Sequence, residues 1–300
     1  MPPPGPIAVI LNAGAGTAMG RPNLAAELVD LFRAAGRHAE ISTLHPGQDA
    51  NAMIQQVSAS AAIVVAAGGD GTVRSVASAV LGSPAALGIL PLGTLNHFAR
   101  DLRIPFDLHQ AIAVIVAGRI EYVDIGMAND RVFVNNSSIG IYPSIVDERE
   151  ALRRQGHRKW SAMALATLRV LRRYRGVKVS LDIDGRQHTW RTPFVFVGNN
   201  AYAIDGIGLG ARARLDEGRL FVYLTPRLRT RDLPLLFAKA LIGRARQSGE
   251  FEIVAAREVW IHRSRSRRVH VAFDGEVTTM NTPLHFRTHP KALRVVLPGS

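Results

Sequence analysis

Up to about residue 125 the hydrophobic positions fall into short unbroken runs at 7–11, 38–44, 62–67 and 87–90, separated by stretches of helical period at 23–35, 49–59, 72–81 and 95–102. Strands that are apolar throughout and alternate with helices of ten or so residues predict parallel strands covered on both faces, hence a doubly wound α/β sheet. Ligands of such sheets bind at the carboxyl ends of the strands. Residues 12–20, 68–72 and 91–96 each follow a predicted strand directly, so they should share one rim.

Beyond residue 125 the pattern becomes β-rich, with runs at 132–135, 177–183, 194–198, 220–224, 251–261, 269–273 and 293–297. Turn signals such as Asp184-Gly185 and Asp216-Glu217-Gly218 favour a mainly antiparallel β-sandwich over further βαβ units. Two helical stretches interrupt it. One, about 145–174, is strongly basic around Trp160; the other, 233–245, carries an apolar stripe of Leu235, Leu236, Ala238, Leu241 and Ile242.

Length agrees with this division. At about 150 residues per domain, 300 residues make about two domains, here 1–125 and 126–300, each large enough to bury its own core. The absence of cysteine excludes a disulfide scaffold, a Cys-ligated metal and a cysteine nucleophile, and it fits a reducing compartment. The net charge of +13 is uneven: the first 125 residues sum to −2 and the remainder to +15. One neutral half beside one basic half points to two surfaces with two partners, although 33 of the 37 basic residues are arginine, as a GC-rich genome would also give. The start has no basic leader region, and apolar runs such as 61–67 and 111–117 fall short of the roughly 18 residues a spanning helix needs. The expectation is a cytoplasmic protein that touches a membrane only from outside; self-association is left open.

The strongest chemical signal is Gly68-Gly69-Asp70-Gly71-Thr72 at a strand-to-helix junction. Its glycines leave backbone N–H groups unshielded, able to cradle phosphate oxygens at the positive end of the following helix. Asp70 would lie beside those phosphates, where a bound metal or a proton makes a carboxylate useful. The alternative is a tight turn with Asp70 as a helix cap. Asn12-Ala13-Gly14-Ala15-Gly16 looks like a dinucleotide fingerprint, but the third glycine falls at Gly20 where the pattern requires it at Met19. With no lysine before Lys159, a P-loop is excluded.

The run Leu90-Pro91-Leu92-Gly93-Thr94-Leu95-Asn96-His97-Phe98-Ala99-Arg100-Asp101-Leu102, with the glycine motif before it, resembles the diacylglycerol-kinase-type catalytic domain shared by bacterial lipid kinases and the sphingosine and ceramide kinases. The resemblance takes in Asn12 to Gly16, Thr43, Val123-Asp124-Ile125-Gly126, Leu215-Asp216-Glu217-Gly218 and Phe273-Asp274-Gly275-Glu276. It implies a nucleotide-binding α/β domain followed by a β-sandwich lipid-substrate domain, with a last strand near 290–298 that returns to the first. It further implies that Asn12, Ala13, Gly14, Ala15, Gly16, Thr43, Gly68, Gly69, Asp70, Gly71, Thr72, Val73, Arg74, Thr94 and Asn96 hold ATP. Glu276 is then the general base on a lipid hydroxyl. A metal turn falls on Arg214–Arg219, with Asp216 and Glu217 and the carbonyls of Arg214 and Arg219 around Mg²⁺.

Phosphoryl transfer needs positioning and charge neutralisation more than covalent help, so a glycine cradle, a Mg²⁺ and a carboxylate near the nucleophile suffice. Asp70, Asp124 and Glu276 are the carboxylates expected there. Two positions depart from the family pattern. His97 stands where lipid kinases of this type commonly have Asp, and Glu217 replaces the second Asp of the metal turn. The arginines Arg153, Arg154, Arg158, Arg169, Arg172, Arg173 and Arg175, with Lys159 and Trp160, form one basic cluster; Arg263, Arg265, Arg267 and Arg268 form another. Both suit an anionic membrane surface, whereas no nucleic-acid-binding motif accompanies the charge. The expected activity is ATP-dependent phosphorylation of a diacylglycerol-like or sphingoid lipid at the inner membrane face. The alternatives are an NAD-kinase-like enzyme and a catalytically silent nucleotide or lipid sensor.

Overall fold

The computed structural model describes residues 5–45, 48, 50–173, 177–183, 185–205, 208–225, 252–263 and 267–299. The helix expected at 233–245, the turn position Asp184 and the arginines Arg175 and Arg265 lie outside the described residues, as do the side chains of Lys159, Arg173 and Arg263. In chain order the first ten elements are β1 (Ile7–Asn12), α1 (Leu24–Ala34), β2 (Ala39–Leu44), α2 (Ala50–Ser58), β3 (Ile63–Gly68), α3 (Asp70–Val80), β4 (Ala86–Pro91), α4 (His97–Asp101), α5 (Leu108–Ala117) and β5 (Arg119–Ala128). Then follow β6 (Arg131–Phe133), β7 (Asn136–Gly140), α6 (Ile141–Arg154), α7 (Lys159–Arg173), β8 (Val177–Ile183), β9 (Arg186–Thr192), β10 (Phe194–Asn199), β11 (Tyr202–Asp205), β12 (Gly208–Arg212) and β13 (Leu220–Leu224). The last five strands are β14 (Glu252–Ala256), β15 (Glu258–Arg263), β16 (Arg268–Phe273), β17 (Glu276–Asn281) and β18 (Leu284–Leu297).

The chain divides into two compact units. The first holds the residues up to Ile125, the short segment Arg214–Asp216 and the chain from His289 onward; the second holds Gly126–Ala213 and Glu217–Thr288. Two strands, β5 and β18, therefore leave one unit and enter the other.

In the first unit β2, β1, β3 and β4 lie side by side in that order, all parallel, and the end of β18 adds to β4 with Val295 opposite Leu87. Every residue of β3 and β4 is buried, as continuous apolar runs in a sheet covered on both faces must be. Helix α1 packs with α5, and α2 packs with α3, which supplies the two helical layers. The chain goes from β1 to β2 on one side and from β3 to β4 on the other. The strand order thus reverses between β1 and β3, and the crevice beyond their carboxyl ends is where such sheets take ligands.

In the second unit β8, β9, β15 and the start of β18 form one antiparallel sheet. The other has the order β14-β13-β10-β7-β16-β17. Their inner faces share one core: Ile139, Val195, Val197, Val222 and Val271 from the second sheet meet Val179, Leu181, Val259, Ile261 and Phe286 from the first. Phe133 packs against Phe273 and Phe286 with ring centroids 6.3 and 6.2 Å apart. An α/β sheet followed by an antiparallel β-sandwich is the expected fold class. The basic stretch expected as one helix is two, α6 and α7, because Gly156 with φ 92° ends the first.

Candidate active site

The loops after β1, β3 and β4 are locked together in the first unit. Asn12, the last residue of β1, donates from Nδ2 to Thr72 Oγ1 at 3.2 Å and accepts from the Gly14 N–H at 3.0 Å, so it ties its own loop to α3 across the reversal point. The Ala13–Gly16 turn closes with the Ala15 N–H on the Asn12 carbonyl at 3.0 Å, and the Thr17 N–H reaches the Leu92 carbonyl at 2.9 Å. The glycines at 69 and 93 face each other backbone to backbone. A Cβ on Gly69 would stand 3.3 Å from the Gly93 Cα, and one on Gly93 would overlap the Gly69 Cα and come within 2.6 Å of Asn96 Oδ1. Gly93 has no room for a side chain in this approach, and a Cβ on Gly69 would need its neighbour to give by a few tenths of an ångström.

Helix α3 starts at Asp70 on an N-cap, Gly69, in extended backbone, with no side-chain cap hydrogen bond among the described residues. Its first-turn N–H groups and the positive end of its dipole are therefore presented at the glycine loops, an arrangement that favours a phosphate. Gly68 ends β3, and Gly71 and Thr72 complete the first turn of α3. Arg74 is half-buried one turn on, Thr94 is exposed on the loop after β4, and Thr43 sits on β2 beside Leu11. Val73 faces the core, and its N–H goes to the Gly69 carbonyl at 3.0 Å.

Asp70 is a helix cap, but of α4 and not of the helix it begins. Its Oδ2 accepts from the His97 N–H at 3.2 Å and its Oδ1 from the Phe98 N–H at 3.1 Å. Asn96 occupies the N-cap position of α4 in a left-handed conformation (φ 50°), and its amide is turned inward. Nδ2 donates to the carbonyls of Gly93 at 2.8 Å and Pro91 at 3.3 Å, while Oδ1 accepts from the Gly93 N–H at 3.0 Å. Asn96 therefore shapes the glycine loop after β4. His97, first in α4, is exposed.

Asp124 on β5 is fully buried. Its Oδ1 accepts from the Lys291 N–H at 2.8 Å and its own N–H goes to the Leu215 carbonyl at 2.7 Å, which fixes the segment Arg214–Asp216 to this unit. Arg214 meets both Asp216 oxygens, Nε to Oδ1 at 3.0 Å and Nη2 to Oδ2 at 3.2 Å. These hydrogen bonds hold the Asp216 carboxyl below its ordinary pKa.

The rest of the expected metal turn belongs to the second unit. Glu217 Oε2 accepts from the Ala201 N–H at 3.0 Å, the Glu217 N–H donates to Asn200 Oδ1 at 2.9 Å, and the Arg219 carbonyl accepts from the Asn200 N–H at 3.1 Å. No group of three His, Cys, Asp or Glu side chains converges on a cation position among the described residues. With both Asp216 oxygens on Arg214, Glu217 is the carboxylate of the turn left to meet a cation. That donor set fits a Mg²⁺ arriving with a nucleotide, because Mg²⁺ keeps waters and takes one or two carboxylates plus phosphate oxygens.

Glu276 opens β17 and is exposed. It follows a two-residue turn in which Asp274 and Gly275 have φ 47° and 91°, the positive pair that a type I′ hairpin requires. Asp274 does more than turn. Its Oδ2 accepts from the Val134 N–H at 3.0 Å, and its Oδ1 accepts from those of Asn135 at 2.8 Å and Asn136 at 3.1 Å. Arg212, 3% exposed, holds the same segment from its other side, with Nη1 on the carbonyls of Val134 and Asn199 at 2.8 and 2.9 Å and Nη2 on Asn135 Oδ1 at 2.7 Å. Neither Arg212 nor Asn135 stands out in the sequence; the Asp-Gly signal at 274–275 is the one trace of this clamp.

Comparison with known proteins adds to the geometry. The diacylglycerol kinase catalytic domain family matches residues 6–128, and the YegS C-terminal NAD kinase beta sandwich-like domain family matches residues 143–297. A protein of Pectobacterium atrosepticum named "Probable lipid kinase YegS-like" is 31% identical over 78% of each chain, and one of the same name from Pseudomonas aeruginosa is 30% identical over 89% of this chain and 87% of its own. The chain belongs to the YegS-like lipid kinase family. Two Bacillus anthracis crystal structures, one named outright as a diacylglycerol kinase and one as a candidate for one, share the fold. Their TM-scores are 0.71 and 0.76 at 19% and 23% identity, each covering 98% of this chain and 97% or 95% of its own. As a member of this kinase family the chain uses ATP, which the glycine rim suits.

Proposed function

We propose that this YegS-like protein transfers the γ-phosphate of ATP to the hydroxyl of a diacylglycerol-like or sphingoid lipid at the inner membrane face. The observation that carries the reading is the N-terminus of α3, free of a side-chain cap among the described residues, behind Gly93, which has no room for a side chain. Backbone N–H groups there take the phosphates, with Asn12, Thr43, Thr94 and Arg74 around them. Bound Mg²⁺ supplies neutralisation of the phosphate charge, and Glu217 is the carboxylate that meets it. Glu276 accepts the proton of the lipid hydroxyl as that oxygen bonds to phosphorus. The bond from phosphorus to the bridging oxygen breaks, and ADP leaves with the electron pair. Asp70 and Asp124 support the site from within, one through α4 and one through the backbone at Lys291 and Leu215. The basic second half of the chain suits an acceptor that lies in an anionic bilayer.

The deciding experiment is mass spectrometry of a mixed bacterial lipid extract incubated with ATP, Mg²⁺ and purified protein. A phosphorylated lipid alcohol that is absent with Glu276→Gln is the expected product. ADP release with a soluble metabolite as acceptor, and none with any lipid, overturns the proposal.

A further inference from the structure

The helical hairpin of the second unit has an apolar face that is left partly exposed among the described residues. Helices α6 and α7 pack on each other through Leu152, Ala162 and Ala166, all buried, with Ile145 and Leu165 alongside. On α7 that contact occupies one side. The opposite side carries Trp160, Ala164, Leu168 and Leu171, whose four- and three-residue spacing places them on one helix face. Trp160 is 81% exposed and Leu168 46% exposed. An amphipathic helix that needed only one partner would have polar residues there.

Charge is sorted around this face. The acids of α6 are matched within the unit: Asp147 with His270 at 2.6 Å, Glu148 with Arg169 at 2.9 Å and Glu150 with Arg149 at 2.8 Å. At the hairpin tip, Arg153, Arg154, Gln155, Gly156, His157 and Arg158 are all exposed, and the three arginines form no ion pair with a described residue. Backbone hydrogen bonds close the tip. The Gly156 N–H bonds to the Arg153 carbonyl at 3.0 Å and the His157 N–H to that of Leu152 at 3.2 Å, the Schellman pattern that stops α6 and reverses the chain. A tip whose arginines pair with no described residue thus leads into a helix with an exposed tryptophan and two leucines.

We infer that the outer face of α7 and the α6–α7 tip form a membrane anchor, in which Trp160, Leu168 and Leu171 enter an anionic bilayer at headgroup depth while Arg153, Arg154 and Arg158 lie against its phosphates. The chemistry is that of an interfacial helix, whose aromatic and leucine side chains enter the headgroup boundary and whose arginines add electrostatic attraction. Arginine suits this position because its planar fork pairs with phosphate. The inference rests on the lipid kinase reading only for its purpose, and it is tested without ATP or acceptor lipid.

The full chain is mixed with vesicles of phosphatidylcholine containing phosphatidylglycerol and, separately, of phosphatidylcholine alone, while tryptophan emission is followed. The expected result is a blue shift with the anionic vesicles, quenched by lipid brominated near the headgroup, lost in Trp160→Phe and weakened by salt. Of the three tryptophans, Trp190 and Trp260 should contribute nothing to the shift, so the difference between parent and Trp160→Phe isolates the anchor. Joint replacement of Arg153, Arg154 and Arg158 by Gln should lower vesicle partitioning on the order of a hundredfold, from about 1 kcal/mol per arginine near the surface. Phosphorylation of detergent-dispersed lipid should stay at the parent level in Trp160→Phe. Unchanged emission with vesicles overturns the anchor, as does equal binding by parent and variants. So does a dimer in sedimentation that Trp160→Phe dissolves, since the face would then join two copies. Insertion of Trp160 without any lipid phosphorylation would leave the anchor standing and remove the kinase reading.

Discussion

Asp70 binds the first turn of α4 with both carboxylate oxygens, Oδ1 to the Phe98 N–H at 3.1 Å and Oδ2 to the His97 N–H at 3.2 Å. A residue that opens one helix is therefore the cap of another, 27 positions later in the chain. Asn96 cannot fill that role, because its amide holds Gly93 and Pro91. Asp70→Asn keeps one acceptor oxygen and removes the charge that suits a helix N-terminus. The expected outcome is a stability loss of about 0.5–2 kcal/mol, the usual range for a damaged cap, with ATP turnover lower by orders of magnitude. Urea unfolding and ADP release on the same preparation check it, and full turnover in the variant would sever Asp70 from the chemistry.

Gly93 is held to glycine by the backbone of Gly69 and by Asn96 Oδ1. Adding one methyl group must push the loop after β4 away from the loop after β3, whereas a Cβ on Gly14 would find ordinary contact at 3.4 Å. Gly93→Ala should weaken nucleotide binding about tenfold or more, the equivalent of one lost charge-assisted hydrogen bond, and Gly14→Ala should change it far less. Calorimetric titration with a non-hydrolysable ATP analogue separates the two.

Asp274 connects the hairpin that carries Glu276 to three successive backbone N–H groups. Loss of that charge leaves the Glu276 carboxylate in place chemically but frees its turn to shift. Asp274→Asn should reduce kcat about ten- to a hundredfold with the KM for ATP little changed, since displacing Glu276, the base proposed above, would lower the chemical step alone. Arg212→Met should act on stability first. It takes a donor from the Asn199 carbonyl and from Asn135 Oδ1, each loss worth about 1–3 kcal/mol when buried, while the Val134 carbonyl keeps Asn199 Nδ2 at 3.2 Å. Steady-state kinetics beside urea unfolding distinguishes the two roles, and a Asp274→Asn variant with raised KM and parent kcat would contradict the first.

How far the sequence could be read depended on which side of an element its neighbours occupy. The strands β1, β3 and β4 end within two residues of the expected 7–11, 62–67 and 87–90, because strands buried on both faces are written as unbroken apolar runs. Strand β9 leaves no hydrophobic run in the sequence, since Arg186–Thr192 is polar along most of its length and exposed on the edge of its sheet. The stretch 251–261 was expected as one strand and is two, β14 and β15, which pair in different sheets on either side of Arg257. Within the site, glycines were legible because their spacing reports backbone geometry. Arg212 is not, because a lone arginine reads as solvated surface until the segments at Val134–Asn135 and at Asn199 are seen to converge on it. In the sequence Asp70 reads as a helix cap or a phosphate neighbour, and the structure assigns its carboxylate to a helix no local pattern could name.

Tyr223 gives the fold a measurable response to alkali. Its hydroxyl accepts the Tyr202 N–H at 2.8 Å and the side chain is buried, with Phe196 at 5.6 Å between ring centroids. Burial pushes the phenol above its ordinary value of 10.0; the backbone bond at Tyr202 opposes that shift and Glu217 adds to it. The unfolded chain ionises first, near pH 10, while the folded phenol still holds its proton. Stability is therefore complete below the unfolded value and falls as pH rises through it, until the folded phenol also ionises. Urea unfolding between about pH 8 and about pH 11 should show that decline. Tyr223→Phe should flatten it, and at neutral pH should cost about 1–3 kcal/mol for the Tyr202 N–H left without an acceptor. A variant weakened at neutral pH but with the parent's alkaline slope would assign the titration to another group and leave Tyr223 a purely structural partner of Tyr202.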